Sequence, residues 1–167
     1  MNKLLSRDMS FINPHSSNFK HFNGKRILAI DYGTKNLGTA IFTPGNDPFP
    51  LEHEVIKNID RQKTLDQLSA MICDEAVDVV VIGLPHHKDG NRSAMTELID
   101  SFARELKSLN PSLSFYFQDE TLSSTEAQER MKNSPKYNFK IDLTRVDLVA
   151  AIIILEDFIN NETPCPI

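Results

Sequence analysis

The chain has 167 residues, of which 40% are hydrophobic and 25% are charged, and its formal net charge at pH 7 is −5. This is the composition of one soluble globular domain, and no apolar run reaches the roughly 20 residues of a transmembrane helix, which argues against a membrane protein. The two cysteines, Cys73 and Cys165, are far apart in sequence, which argues against a disulfide framework or a structural zinc site and predicts a cytoplasmic protein.

The chain divides into three segments by pattern. Residues 1–24 are basic and mix Ser, Asn, His and Pro without a hydrophobic period, so we expect an N-terminal extension of low order. The folded domain is expected over residues 25–160, followed by a C-terminal tail over residues 161–167. Because the basic residues are concentrated at the N-terminus, the remaining chain is more acidic than the whole, and bulk charge does not favour nucleic-acid binding.

Hydrophobic periodicity predicts a defined order of elements along the domain. Three strands are expected first, and helices then alternate with two further strands before two final helices. In chain order, the strands are predicted at 27–30, 39–42 and 52–56, a helix at 65–72, a strand at 79–82, a helix at 95–110, a strand at 113–117, and helices at 123–132 and 145–158. This order predicts an α/β protein with a five-stranded mixed sheet and helices packed on it, as in an RNase H-like fold.

Glycine and proline residues mark the expected turns. Gly33 and Gly38 would permit a tight turn between the first two strands, and Gly83, Pro85 and Gly90 would shape the loop that follows the central strand. Loops at the ends of buried strands commonly bear functional groups.

Carboxylates end two of the buried strands. Asp31 directly follows the first strand and is either a metal-binding or phosphate-proximal group or the cap of a tight turn. Asp119 and Glu120 end the fifth strand, and adjacent strand residues point to opposite faces, so at most one of them joins Asp31. We choose Glu120, with Asp119 as the alternative; both are also compatible with solvated acids that precede a helix.

Asp147 is the third acidic candidate, because it lies within a strongly apolar helical segment, where charged residues are rare without a partner. Three carboxylates from separate elements suit hard divalent cations such as Mg²⁺, which take oxygen ligands and keep several waters. Two such ions support in-line hydrolysis of a phosphodiester. The pattern therefore favours phosphodiester hydrolysis with Asp31, Glu120 and Asp147 as metal-binding and catalytic residues.

A local basic stretch is an exception to the acidic balance. Residues 130–145 contain one acid, Asp142, and five basic residues: Arg130, Lys132, Lys136, Lys140 and Arg145. This stretch is either a contact for a polyanion or a solvated loop. Three further cations lie near the expected site and are candidate phosphate contacts. The candidate nucleic-acid-binding residues are Lys35, Lys88, Arg92, Arg130, Lys132, Lys136, Lys140 and Arg145.

Four collinear blocks over residues 26–159 carry a family resemblance. They are Asp31-x-Gly33 with Gly38, Gly83-Leu84-Pro85 leading to Asp89-Gly90, residues 119–124 with Glu126-Ala127, and Asp147-x-x-Ala150-Ala151 with Ile154-Leu155. In these blocks the chain resembles the YqgF family, also called RuvX, of Holliday-junction resolvases, which includes pre-16S rRNA processing nucleases. The resemblance implies an RNase H-like fold and a nuclease dependent on Mg²⁺ or Mn²⁺ that acts on structured nucleic acid, with Asp31, Glu120 and Asp147 as the matching acids.

Two positions depart from the family pattern. Asn36 and Thr121 stand where family members typically have arginine, and neither can bind phosphate bidentately as a guanidinium does. Lys35 partly compensates for the first loss. Because the acids remain, we expect activity to be kept with a weaker hold on the substrate.

The resemblance implies a metal-dependent endonuclease that processes the 5′ end of precursor 16S rRNA. A Holliday-junction resolvase acting in DNA recombination or repair is one alternative, and a non-catalytic nucleic-acid-binding factor is another. Retention of all three carboxylates favours an enzyme over the binding factor. The expected partner is precursor rRNA or branched DNA, with no membrane, and the expected assembly is a monomer or a weak homodimer.

Overall fold

A mixed six-stranded sheet organises the protein, with helices on both faces. The structure is a computed structural model that describes residues 12–85, 92–120, 123–161 and 164–167. Its strands are β1 (Ile27–Tyr32), β2 (Asn36–Phe42), β3 (Leu51–Lys57), β4 (Val79–Leu84), β5 (Ser114–Asp119) and β6 (Cys165–Pro166). Its helices are α1 (Ser17–His21), α2 (Arg61–Asp74), α3 (Ala94–Leu109), α4 (Ser123–Lys132) and α5 (Val146–Asn160), with a 3-10 helix at Pro135–Tyr137.

The order of strands across the sheet is β3-β2-β1-β4-β5-β6. β1, β2 and β3 form an antiparallel meander, and β4 and β5 are added parallel to β1. The predicted mixed sheet is therefore confirmed, but the predicted count of five strands was wrong. Residues 165–166, which were predicted as part of a tail, pair antiparallel with Tyr116 and Phe117 of β5. A strand of two residues is too short to produce a period in the sequence.

Alternation along the strands divides the core into two layers. Leu28 and Ile30 of β1 point to the layer that α2 and α3 cover, and Ile27 and Ala29 point to the layer that α5 covers. Central strands that are buried on both faces are apolar at every position, which explains the unbroken apolar runs in β1 and β4. Helix α5 is buried along most of its circumference between the sheet and α4.

The N-terminal segment is more ordered than the sequence predicted. Ser16 caps α1 by accepting a hydrogen bond from the Phe19 N–H, and Phe22 is 3% exposed. The Ser16 hydroxyl and the Asn18 amide donate to the carbonyl oxygens of Ile159 and Phe158, over 2.6 and 2.7 Å. The last carbonyls of a helix have no partner within it, so this segment caps the end of α5.

The prediction of low order was therefore wrong for residues 16–22, and residues 1–11 lie outside the described part of the chain. A helix of five residues is not stable by itself, so its sequence carries little signal, and its order comes from docking on α5. Among the residues that the structure describes, no helix combines the length and apolarity needed to cross a membrane.

We expect Asn18→Ala to lower the free energy of unfolding by about 1–3 kcal/mol, because it leaves the buried Phe158 carbonyl without its donor. Urea denaturation of the two proteins measures the difference. Ser17→Ala is the matched control, since Ser17 is exposed on the same helix and its loss should change stability by less than about 0.5 kcal/mol. Equal effects of the two substitutions would contradict the capping role of Asn18.

Candidate active site

Strand alternation brings two of the candidate acids to the face of the sheet that α5 covers. Asp31 lies two residues after Ala29, which faces α5, so Asp31 has the same orientation. On β5, Tyr116 faces this layer, and Glu120 follows it by four residues. The Glu120 N–H donates to the Leu84 carbonyl over 3.2 Å, which continues the strand pairing as far as Glu120. Of the adjacent acids 119 and 120, the geometry therefore places Glu120 beside Asp31.

Asp31 and Glu120 are in direct hydrogen-bond contact. Burial raises the pKa of both carboxyls, and repulsion from Asp31 raises that of Glu120 further. Because the two carboxyls are in contact and both pKa values are raised, they titrate as a pair that retains a proton to higher pH than isolated carboxyls do. Two carboxylates in a buried site repel each other unless a proton or a cation separates their charges.

Glu120 also has an unsatisfied acceptor. Its Oε2 atom is buried and accepts no hydrogen bond from any residue that the structure describes, although buried polar atoms are nearly always paired. Gly83 of β4 makes room for this oxygen, since a Cβ atom at Gly83 would lie 2.2 Å from Glu120 Oε2 and 2.6 Å from Ile154 Cδ1. The site thus presents a hard oxygen ligand in a space that a side chain at residue 83 would fill.

Asp147 reaches the same region from the first turn of α5. Its backbone packs directly on β2, where a Cβ atom at Gly38 would lie 2.0 Å from the Asp147 carbonyl oxygen. Gly38 is paired with Asp31 in the sheet. Burial raises the pKa of Asp147, and the charge of Asp147 contributes to the raised pKa of Asp31. All three acids that the sequence singled out are therefore electrostatically connected at one place.

The glycines differ in part from the turn residues that the sequence predicted. Gly38 and Gly83 lie within β2 and β4, and their function is close approach, because a side chain would strike Asp147 or Glu120. Gly33 lies in the turn between β1 and β2, where a Cβ atom would meet the Asn36 carbonyl oxygen at 2.5 Å. Pro85 follows β4 directly, and Gly90 lies outside the described residues.

The donor set fits a hard divalent cation through its acid pair. Within the described ranges, no three His, Cys, Asp or Glu side chains are grouped closely enough to hold a metal ion between them. Mg²⁺ does not need such a cage, since it is usually bound by one or two carboxylates together with water and substrate phosphates. Asp31 and Glu120 are the pair that such an ion would use, and Glu120 Oε2, which has no hydrogen-bond partner among the described residues, would be a ligand atom.

Arg130, which the sequence placed among the phosphate contacts, is mostly buried. Its guanidinium binds both carboxylate oxygens of Glu156, over 2.6 and 3.0 Å, and also contacts Glu126 at 3.3 Å. The Arg130 and Glu156 side chains are 16% and 4% exposed. A carboxylate within apolar α5 needs a cation, and Arg130 supplies it. This bidentate ion pair joins α4 to α5, so the Arg130 guanidinium is used within the fold and is not available as a phosphate contact.

Glu52 is a residue that sequence reasoning missed. Its side chain is 13% exposed, and it accepts hydrogen bonds from the Tyr137 hydroxyl and the Arg145 guanidinium, with Lys136 Nζ at 3.4 Å. Burial alone would raise the pKa of Glu52, but these donors outweigh burial and lower it. Glu52 thus anchors the segment between α4 and α5. This role could not be predicted from the sequence, because a single acid on an edge strand forms no recognisable pattern.

The other candidate cations differ in exposure. Arg92 forms ion pairs with Glu97 and Asp100 on α3, and exposed Lys132 lies 3.6 Å from Glu129. Lys35 and Lys140 are exposed. Lys88 and Thr121 lie outside the described residues, and Asn36 begins β2 beside Lys35.

Comparison with known proteins gives a consistent result. Residues 25–161 match the sequence profile of a family described as RuvX: Holliday junction resolvase. Two bacterial relatives carry the name "Putative pre-16S rRNA nuclease". The one from Chlorobium chlorochromatii is 33% identical over 139 residues, and the one from Shewanella oneidensis is 30% identical over 142 residues. Each alignment covers 83% of this chain and 96% of the relative.

The fold is similar to that of RuvC from Thermus thermophilus, with a TM-score of 0.53 and 11% identity, over 85% of this chain and 99% of RuvC. A structure of the same protein with a Holliday junction substrate matches with the same TM-score, over 86% of this chain. These similarities confirm the predicted RNase H-like fold class.

We expect Gly83→Ala to lower the free energy of unfolding by about 1–3 kcal/mol, because the new methyl group overpacks the space held by Glu120 and Ile154. Urea denaturation in EDTA measures the loss. Adding Glu120→Asp, which withdraws the carboxylate, should restore part of the stability. Unchanged stability of the single variant would show that this space is not tightly packed.

We expect Glu52→Gln to lower the free energy of unfolding at pH 7 by about 1–3 kcal/mol, since it removes the carboxylate charge and replaces one of the two acceptor oxygens by an NH2 donor. Because the pKa of Glu52 is lowered in the folded protein, its stabilisation is present above the ordinary value of 4.5 and is lost as the pH falls below it. The difference between variant and wild type should therefore shrink on acidification, as measured by urea denaturation at several pH values. Glu54→Gln, at an exposed position of the same strand, should show neither effect.

Proposed function

Because the chain belongs to the RuvX family of Holliday junction resolvases, we propose that it is a nuclease that hydrolyses phosphodiester bonds of precursor 16S rRNA. The reaction would use a divalent cation, Mg²⁺ or Mn²⁺, held by Asp31 and Glu120 next to Asp147. The observation that carries the proposal is the contact between two buried acids, Asp31 and Glu120, with the charge of Asp147 acting on the same group. Work on rRNA would place the protein in the cytoplasm.

The acids of this chain have separate tasks in the proposed reaction. Asp31 and Glu120 would hold the cation, with the buried Glu120 Oε2 as one ligand atom, and the pair would give up its proton on binding. Asp31, held in β1, fixes the position of the pair. Asp147 adds negative charge from α5, which favours cation binding at this edge of the site. A bound divalent cation would polarise the scissile phosphate and promote ionisation of the attacking water.

Precursor 16S rRNA is proposed because relatives that are aligned over 96% of their length carry that substrate in their names. The exposed lysines Lys35, Lys132, Lys136 and Lys140 are the proposed phosphate contacts on this chain. These lysines are few and the net charge of the chain is −5. We therefore propose that RNA binding depends on the local positive potential around the lysines and weakens steeply as the salt concentration rises.

Branched DNA is a second candidate substrate. The family description names Holliday junction resolution, and the similar RuvC fold has been seen with such a junction. The same carboxylates would serve either substrate, because the reaction at phosphorus is the same.

The proposal is tested with purified protein, precursor 16S rRNA carrying its 5′ extension, and a four-way DNA junction. Each substrate is incubated with Mg²⁺, Mn²⁺ or EDTA. We expect cleavage of the rRNA with either metal and none in EDTA. Asp31→Asn and Asp147→Asn should each reduce the rate at least about 100-fold, or about 2.7 kcal/mol of activation free energy, because a neutral amide replaces an anionic oxygen.

Asp74→Asn is the matched control, since Asp74 is exposed at the end of α2, and it should cleave at the wild-type rate. Cleavage of the junction but not of the rRNA would favour the second candidate. Undiminished metal-dependent cleavage by Asp31→Asn would remove the acid pair from the mechanism.

A further inference from the structure

The segment between α4 and α5 presents an aromatic ring to solvent at Phe139. We propose that Phe139 stacks on an unpaired base of the RNA substrate, so that this segment recognises single-stranded nucleotides beside the cleavage site. The inference rests on the proposed function and names the part of the substrate that this chain contacts. Four observations support it: exposure, backbone conformation, anchoring and charge.

Phe139 is 62% exposed, although phenylalanine gains most from burial. No aromatic ring among the described residues contacts it. Nearby Leu143 is 76% exposed, but it has no flat π face on which a base could stack. The ring of Phe139 is therefore free to contact a ligand.

The backbone at this point is strained in a defined way. Asn138 and Phe139 both have left-handed backbone conformations, with φ of 54° and 57°. This conformation is tolerated by asparagine but is unfavourable for a bulky residue, and glycine would adopt it without strain. Strain of this kind is concentrated at functional sites. The strained backbone at Phe139 costs stability, and the exposed ring buries too little surface to offset that cost. A contact with a ligand outside the chain would explain why phenylalanine stands at this position.

The turn that carries the ring is well braced. The N–H groups of Asn138, Phe139 and Lys140 donate to the carbonyls of Pro135, Ser134 and Tyr137 over 3.0, 3.1 and 3.1 Å. A ring that is held in place before binding loses less conformational entropy when it stacks.

The segment is also anchored beside the acid pair. Tyr137 and Arg145 both bind Glu52 of β3, and Glu52 is paired with Ala40 of β2, two residues from Gly38. Gly38 is in turn paired with Asp31. Two strand spacings and two residues along a strand separate the Cα atoms of Glu52 and Asp31 by roughly 12 Å. One RNA chain can therefore reach both the carboxylates and this segment.

The charges around the ring favour nucleic acid over an apolar protein partner. Lys136 and Lys140 flank Phe139, and Lys136 is 60% exposed. Among the ion pairs of the described residues, Lys140 takes part in none. A basic surface with an exposed aromatic ring is the combination that binds single-stranded nucleic acid without regard to sequence.

The test compares two RNA hairpins, one with a single-stranded 5′ extension and one with a blunt end, by measuring binding in EDTA so that cleavage does not interfere. We expect Phe139→Ala to weaken binding of the extended hairpin by about 5- to 150-fold, the range that corresponds to one lost stacking contact. Binding of the blunt hairpin should be unchanged. Leu143→Ala, which removes an exposed apolar side chain from the same segment, is the matched control and should bind both hairpins like wild type.

Two further variants separate stacking from folding. The chain contains no tryptophan, so Phe139→Trp introduces a unique tryptophan that can be excited selectively over the tyrosines, and its emission should be quenched by the extended hairpin and not by the blunt one. Phe139→Gly relieves the backbone strain and should raise the melting temperature while it weakens binding as Phe139→Ala does. A loss of binding with a gain of stability cannot come from misfolding.

The outcomes distinguish this inference from the function on which it rests. If wild type cleaves precursor rRNA but all Phe139 variants bind the extended hairpin equally well, the stacking role is wrong and the nuclease function stands. Equal quenching by both hairpins would also overturn it, as would stronger quenching by a DNA extension than by the RNA extension. If wild type neither binds nor cleaves either RNA, the proposed function fails and the inference fails with it.

Discussion

The close packing of α5 against the sheet is the constraint on which the site depends. The helix approaches β2 so closely at Gly38 that the Asp147 carbonyl occupies the space of a side chain. On β4, the missing side chain of Gly83 likewise leaves the space that Glu120 and Ile154 occupy. Because small residues stand at these contacts, acids on β1, after β5 and on α5 meet in one partly buried region. With larger residues the helix would lie farther from the sheet, and the three charges would act as separate surface groups.

This packing raises the electrostatic cost of ionising the clustered acids. Burial raises the pKa of Asp31, Glu120 and Asp147, and no residue in the described ranges donates to the buried Oε2 of Glu120. Elsewhere the same helix satisfies its buried charge, since Glu156 is bound bidentately by Arg130. One acid of α5 is therefore neutralised by a side chain of α4, while Asp147 and its neighbours have no such cation among the described residues. This difference supports the proposal that the second group binds a cation.

Glu52 connects the site to the surface that surrounds it. By binding Tyr137 and Arg145, it fixes the segment before α5 and so the start of the helix that carries Asp147. The basic residues of this segment consequently have different roles. Arg130 and Arg145 hold elements together, whereas Lys140 is exposed beside Phe139, and Lys136 is exposed there too although its Nζ lies 3.4 Å from Glu52.

The sequence by itself determined the order of the main elements from β1 to α5, without α1 and β6, and singled out the candidate acids, with the choice between Asp119 and Glu120 left open. Strand periods along β1 and β4 and helical periods along α3 and α5 are local properties, and Asp31, Glu120 and Asp147 stand out because each is a charge at the end of a buried strand or within an apolar helix. The face of each element that is buried determines the spacing of its apolar residues, so the type of element can be predicted from the sequence.

Only the tertiary structure decided which acid of the pair 119 and 120 faces Asp31, because the choice depends on the register of β5 beside β4. It also decided that Gly38 and Gly83 serve close approach, that Arg130 is engaged by Glu156, and that residues 16–22 cap α5. Each of these depends on a contact between residues far apart in the chain, such as Asn18 with Phe158 or Tyr137 with Glu52. Such contacts arise only when the elements pack, and no local pattern encodes them.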